Sequence, residues 1–143
     1  LELAQYPTYV GLDISPEAIA LCRGKFAQDA TKQFLPVDAP GSHRADLALS
    51  LDVIFHLVED RTYRDYMDRL FAAAEGYVAI YSTIEESRTR TLPHVRHRQV
   101  AEDVGRWFPG FVRLLDYEAG LPPPAAEWSN GAQFILYQRK HEA

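Results

Sequence analysis

Three aspartates, Asp13, Asp38 and Asp52, each follow a short apolar run that is typical of a β-strand. In an open parallel sheet the ligand crevice lies outside the carboxyl ends of the strands, so three such carboxylates would line one edge. A carboxylate at this position can accept two hydrogen bonds from the vicinal hydroxyls of a ribose. The pattern therefore predicts a nucleotide-binding edge. The alternative is that each aspartate caps the helix that follows it.

The elements that must position these aspartates alternate between strand and helix. Strands are predicted at residues 8–12, 33–37, 45–51, 77–81, 111–117 and 132–138. Amphipathic helices are predicted behind Ser15, behind Thr62 and over residues 100–108. The alternation in the first half predicts a parallel sheet covered by helices. Because no helix separates the last two strands, we expect them to pair antiparallel and to make the sheet mixed.

Local signals mark the ends of the first two helices. Ser15 supplies an N-cap oxygen, and Pro16 suits the first helical position, where its missing N–H is no loss. Thr62 and Asp65 form a capping-box pattern at the start of the second helix, and Gly76 is predicted to stop it. The first helix therefore begins directly behind the first of the three strand-end aspartates.

The composition is typical of one globular domain and excludes several classes of function. The chain has 143 residues, of which 47% are hydrophobic and 24% charged, and a formal net charge of −5. This charge disfavours broad binding to nucleic acid or to anionic lipid. The single cysteine, Cys22, cannot form an intramolecular disulfide. No segment approaches the apolar length that spans a bilayer, so we expect a cytoplasmic protein without a membrane partner.

A polar stretch between residues 85 and 98 is rich in basic side chains. Within it, His94, Arg96 and His97 are the candidate substrate-binding residues, because a basic lid would attract a phosphorylated or carboxylated small molecule. A solvated loop explains the same composition. No further cluster of His or Cys matches the two histidines, so no metal site is predicted.

Two segments of the chain resemble a known family. Residues 9–18 (YVGLDISPEA) and 45–57 (ADLALSLDVIFHL) look like the class I S-adenosylmethionine-dependent methyltransferases, and the similarity extends over nearly the whole chain. The resemblance implies an α/β fold with a Rossmann-like, mostly parallel sheet, flanking helices and a C-terminal antiparallel hairpin. It also implies S-adenosyl-L-methionine as the cofactor and a small molecule as the substrate.

The resemblance also assigns roles to the strand-end residues. An acid after the family's second strand binds the ribose, which implies that role for Asp13 with the adjoining Ile14. An acid after the third strand lies near the adenine amine, which implies that role for Asp38. The segment after the fourth strand faces the methionine part of the cofactor and the substrate, which implies cofactor contacts for Asp52 and Val53.

His56 is the candidate catalytic residue in that last segment. The sulfonium cofactor of this family is already activated, so the protein has mainly to align the acceptor and exclude water. A general base is needed only where the acceptor loses a proton, and the ordinary pKa of a histidine suits that step near neutrality. A hydrogen-bonded packing role between Phe55 and Leu57 explains the same histidine.

The sequence departs from the family at its beginning. The family's first strand and its glycine-rich loop have no counterpart, and Gly11 lies inside a predicted strand. We therefore expect residues 1–143 to form a single methyltransferase-like domain, either truncated at its N-terminus or degenerate. A sheet without its first strand would leave ladder groups unpaired or force the neighbouring strands together. An exposed strand edge would favour pairing with a second copy, so a homo-oligomer is also expected.

Three functional interpretations follow. The first is methyl transfer from S-adenosylmethionine to a small-molecule or polar metabolite acceptor. The alternative is a non-catalytic nucleotide-binding or interaction module on the same scaffold. A phosphoacceptor receiver domain also needs aspartates at strand ends, but it expects a lysine at the end of a later strand. Here Tyr81-Ser82-Thr83 occupies that place.

Overall fold

Six strands and three α-helices follow one another in nearly the predicted order. A computed structural model describes residues 6–41, 43–83, 93–118 and 132–140. The elements are β1 (Tyr9–Asp13), α1 (Pro16–Lys25), β2 (Lys32–Pro36), β3 (Ala45–Leu51), α2 (Asp60–Ala73), β4 (Ala74–Thr83), α3 (Val100–Trp107), β5 (Phe111–Glu118) and β6 (Ala132–Arg139). A short 3₁₀ helix at Ile54–His56 lies between β3 and α2. The chain divides into two compact units, Leu1–His43 and Arg44–Ala143.

The N-terminal unit is a parallel strand pair with one helix. β1 pairs with β2 from Tyr9↔Lys32 to Asp13↔Pro36. The hydroxyl of Ser15 accepts a hydrogen bond from the backbone N–H of Ala18 at 3.1 Å, so the predicted cap of α1 is confirmed. The rings of Phe26 and Phe34 stack with their centroids 5.6 Å apart. Apolar contact between α1 and the strands therefore forms the small core of this unit.

Gly11 in β1 lies beneath the ring of Phe34. A Cβ atom at residue 11 would lie 2.9 Å from Cδ1 of Phe34, which is closer than two carbon atoms can approach. The strand therefore needs glycine here because an aromatic ring packs against its backbone.

The C-terminal unit contains a mixed sheet of order β3-β4-β6-β5. β3 and β4 are parallel, whereas β6 pairs antiparallel with both β4 and β5. The α/β class, the parallel pairing of β3 with β4 and the antiparallel pairing of β5 with β6 are therefore as predicted. The bounds of β3 are those read from its sequence.

Two helices cover this sheet with a stripe of apolar side chains. Tyr63, Met67 and Phe71 recur every fourth residue of α2 and are buried, as the amphipathic pattern predicts. They belong to one core with the other large, fully buried apolar side chains of the unit: Ile54, Val78, Ile80, Val100, Val104 and Ile135. This core holds the carboxyl end of β3 against α2.

The predicted ends of α2 are wrong. The helix begins at Asp60 behind an extended Glu59 that makes no side-chain cap, so Thr62 is inside it and forms no capping box with Asp65. The helix ends at Ala73 because Ala74 turns directly into β4 with ψ of 121°. Gly76 does not stop the helix but lies in β4, where a Cβ atom would meet the carbonyl oxygen of Asp46 at 3.1 Å.

Each sheet has two edge strands, β1 and β2 in the N-terminal unit and β3 and β5 in the C-terminal unit. Within the described residues, β1 pairs with β2 alone and β3 pairs with β4 alone. That the family's first strand has no counterpart here stays a prediction. The longest helix in the described segments has 14 residues, and no described helix could cross a bilayer. That residues 1–143 form a single domain stays a prediction.

Candidate functional site

Asp13 ends β1 with an exposed carboxylate. Its Oδ1 atom accepts a hydrogen bond from the backbone N–H of Ser15 at 2.8 Å, which closes a tight turn before α1. Ser15 itself caps the helix, so the alternative that Asp13 is the cap is wrong. The second oxygen of Asp13 has no partner among the described residues and can accept hydrogen bonds from a ligand.

Ile14 and Asp38 lie at the same edge of the N-terminal unit. Ile14 follows Asp13 directly and is 85% exposed, so its side chain could cover one face of a planar ring. Asp38 is exposed in the turn after β2, and the neighbouring Val37 donates a backbone hydrogen bond to the carbonyl oxygen of Asp13 at 3.0 Å. The carboxyl ends of β1 and β2 are thus tied together, and an exposed apolar side chain adjoins Asp13.

Asp52 follows β3 in the C-terminal unit and has an unusual backbone conformation. Its φ of +56° is in the left-handed region, where non-glycine residues are uncommon and cluster at functional sites. Its backbone N–H donates to the carbonyl oxygen of Tyr81 in β4 at 3.0 Å. Val53 is half-buried at the start of the 3₁₀ helix, and Ile54 is fully buried beneath it. This arrangement fixes the path of the chain and leaves the Asp52 carboxylate exposed.

His56 ends the 3₁₀ helix with its side chain exposed. Its ring centroid lies 4.3 Å from that of Phe55, and the two planes are tilted by 50°. Among the described residues the imidazole makes no side-chain hydrogen bond. These contacts do not favour the hydrogen-bonded packing role, whereas the role as a base stays a prediction.

The basic stretch is only partly free for an anion. Arg96 pairs with Asp60 at 2.8 Å and donates to the carbonyl oxygen of Val58 at 3.1 Å. Its backbone N–H donates to the carbonyl oxygen of Phe55 at 2.8 Å. His94 is exposed and His97 is half-buried, whereas the remaining arginines that precede them lie outside the described residues. The structure therefore brings Arg96 against the segment that carries His56, with much of its charge already compensated.

Arg98 is the residue that sequence reasoning left outside the site. It is only 7% exposed, and it donates to the carbonyl oxygens of Leu57 and Val58 and to the carboxylate of Asp60. The hydrogen bond from Arg98 is the main cause that holds the pKa of Asp60 below its usual range, and the charge of Arg96 adds to it. In sequence, one more arginine in a basic run is typical of a solvated side chain. The one sequence signal for a buried Arg98 is its position two residues before Val100, the first buried residue of α3.

Seven of the nine predicted site residues form one group in each unit. Asp13, Ile14 and Asp38 gather at the carboxyl ends of β1 and β2. In the other unit, the residues after β3 gather with Arg96 at the carboxyl end of that strand: Asp52, Val53 and His56. Each group offers carboxylate oxygens beside apolar surface, which suits a ligand with hydroxyl donors and a planar ring.

Comparison with known proteins gives structural likenesses only. No family model and no curated protein matches the sequence. The N-methyltransferase NodS from Bradyrhizobium japonicum WM9 superimposes with a TM-score of 0.70 at 10% identity, over 94% of this chain and 74% of NodS. Magnesium protoporphyrin IX methyltransferase from Synechocystis PCC 6803, solved with bound SAH, superimposes with a TM-score of 0.68 at 12% identity, over 93% of this chain and 64% of that chain. The methyltransferase domain of bacterial CtHen1 superimposes with a TM-score of 0.65 at 13% identity, over 95% of this chain and 79% of that chain.

Proposed function

Because the chain has the fold of the class I methyltransferases, we propose that it binds S-adenosyl-L-methionine and transfers its methyl group to a small, polar acceptor. The observation that carries this proposal is the free oxygen of Asp13 at the end of β1, in a fold that places a ribose-binding acid there. The residues present suit the cofactor, since an exposed apolar side chain adjoins that carboxylate and a second acid follows β2.

The N-terminal unit would hold the nucleoside part of the cofactor. Asp13 would accept hydrogen bonds from the ribose hydroxyls, with Ser15 holding its other oxygen in place. Ile14 would cover a face of the adenine, and Asp38 would accept a hydrogen bond from the adenine amine. The main function of these residues is to bind and orient.

Within the C-terminal unit, the residues after β3 are those to which the resemblance assigns the methionine part of the cofactor and the acceptor. When bound, the cofactor supplies an activated methyl group, so the chain need not generate a strong nucleophile. Asp52 and Val53 would line the methionine part, since the hydrogen bond to Tyr81 and the burial of Ile54 fix their backbone. His56 would accept a proton from an acceptor that must lose one, because its exposed ring is free of protein hydrogen bonds among the described residues.

Calorimetric titration with S-adenosylhomocysteine tests the cofactor assignment. We expect saturable binding by the wild-type chain, and about a hundredfold weaker binding by Asp13→Ala, because two hydrogen bonds to a charged group are lost. Asp13→Asn should weaken binding less, since its amide oxygen can still accept from Ser15. Asp46→Ala removes an exposed strand aspartate distant from the carboxyl end of β3 and should bind like the wild type.

Two outcomes would count against the proposal. A wild-type chain that shows no saturable binding would refute the cofactor assignment, and an unchanged affinity in Asp13→Ala would refute the role of that carboxylate. Transfer of labelled methyl groups to pooled polar metabolites then tests catalysis. A chain that binds the cofactor product but methylates nothing would favour the alternative, a nucleotide-binding or interaction module.

A further inference from the structure

We propose that Arg98 is a positioning residue that fixes residues 52–58, here called the post-β3 segment, in the conformation that presents His56. The inference rests on the proposed function, since it gives this segment a role toward the cofactor and the acceptor. Arg98 acts through the segment and needs no contact with either ligand.

The post-β3 segment is anchored at both ends. At its start, the backbone N–H of Asp52 donates to Tyr81 and the Ile54 side chain is fully buried. At its end, the carbonyl oxygens of Leu57 and Val58 follow the last turn of the 3₁₀ helix, where backbone acceptors have no partner within the helix. The guanidinium of Arg98 donates to both oxygens at 2.8 Å. The exposed His56 lies between these two anchors.

The guanidinium is itself held from several sides. Its central carbon lies 4.5 Å from the ring centroid of Tyr63 in α2, and the hydroxyl of Tyr63 donates to Asp103 in α3 at 3.0 Å. The positive charge of Arg98 is compensated by the carboxylate of Asp60 in the first turn of α2. Arg98 therefore connects α2 to the two carbonyls, and Tyr63 connects α2 in turn to α3.

Only arginine can make this set of contacts. Its planar fork offers several N–H donors in fixed directions, whereas lysine offers one compact ammonium group on a flexible chain. Lysine at residue 98 would keep the charge near Asp60, but its single nitrogen would have to replace two separate guanidinium nitrogens, Nη2 at both carbonyls and Nη1 at the carboxylate. The proposal therefore separates the fork geometry from the charge.

Arg64 in α2 provides a matched control. Its guanidinium also lies over an aromatic ring, at 4.4 Å from the centroid of Trp107, and pairs with Asp68 at 2.9 Å. Its side chain is 40% exposed, and it donates to no carbonyl of the post-β3 segment among the described contacts. Loss of Arg64 therefore removes a similar stacked ion pair without releasing the segment.

Amide hydrogen exchange by NMR, combined with titration of S-adenosylhomocysteine, tests the proposal on Arg98→Lys, Arg98→Met and Arg64→Met. We expect the amides of His56 and Leu57 to exchange about tenfold faster or more in both Arg98 variants, with β4 amides unchanged. Affinity for S-adenosylhomocysteine should fall about tenfold in the same variants and less than about twofold in Arg64→Met. Should Arg98→Met not fold, Arg98→Lys carries both measurements.

The outcomes separate this inference from the proposed function. Unchanged exchange of His56 and Leu57 in a folded Arg98 variant overturns the positioning role. Faster exchange with unchanged affinity overturns the link between the segment and the cofactor. A wild-type chain that binds no S-adenosylhomocysteine refutes the proposed function instead, and the exchange rates then decide the positioning role alone.

Discussion

Substitution of Asp52 separates the conformation of the backbone from the chemistry of its side chain. At φ of +56° a Cβ atom crowds the following carbonyl oxygen, which costs about 1–2 kcal/mol for an ordinary residue. Glycine avoids this cost but loses about 0.5–1 kcal/mol more conformational entropy on folding. We therefore expect Asp52→Gly to be more stable than Asp52→Ala by about 1 kcal/mol, while both lose the carboxylate.

Urea unfolding followed by circular dichroism measures this difference, and a helical aspartate supplies the control. Asp65 is exposed within α2, where glycine is less stable than alanine by about 1 kcal/mol. The preference between glycine and alanine should therefore reverse from residue 52 to residue 65. Both Asp52 variants should weaken binding of S-adenosylhomocysteine to a similar degree, because the side chain is absent from both.

A chain in which Asp52→Ala is as stable as Asp52→Gly, or more stable, would refute the reasoning. The left-handed conformation would then carry no cost at this residue. An affinity that falls only in Asp52→Ala would show instead that backbone geometry, and not the carboxylate, matters for the ligand.

Two further predictions concern the stability of the two units. Phe71→Leu should lower the free energy of unfolding in urea by about 2 kcal/mol, because it removes the aromatic contacts with Phe108 and Phe111, whose ring centroids lie 4.1 Å and 4.9 Å from that of Phe71. A decrease of less than about 0.5 kcal/mol would contradict this. Hydrogen bonds from Lys32 and Thr31 lower the pKa of Asp29 from 3.8 to about 2. The ionised Asp29 therefore stabilises the fold fully above the ordinary pKa of an aspartate, and this stabilisation is lost as the pH falls towards 2. The difference in urea midpoint between the wild type and Asp29→Asn should therefore shrink on acidification, and growth of that difference would contradict the assignment.

Sequence patterns predicted the elements whose signals are local. The bounds of β3 follow from an apolar run that ends at an aspartate, and the start of α1 follows from Ser15 and Pro16, which act within one helical turn. The strand-end placement of Asp13 could be read for the same reason.

Features that depend on distant partners could not be predicted. In the sequence, Gly76 is compatible with either a helix end or a close approach of two backbones. The second is observed because the carbonyl of Asp46 in the neighbouring strand lies against Gly76. Burial of Arg98 likewise depends on acceptors about 40 residues earlier in the chain, at Leu57 and Val58. No local pattern records such partners.

The contact between Gly11 and Phe34 has a consequence for the evolution of the N-terminal unit. A slip of one residue between β1 and β2 would turn Asp13 to the opposite face of the strand pair, because side chains alternate. The ring of Phe34 fits only over a residue without a side chain, so it selects one alignment of the two strands. Residue 11 would therefore tolerate few replacements although it meets no ligand, and a substitution there would resemble a binding defect in a genetic screen.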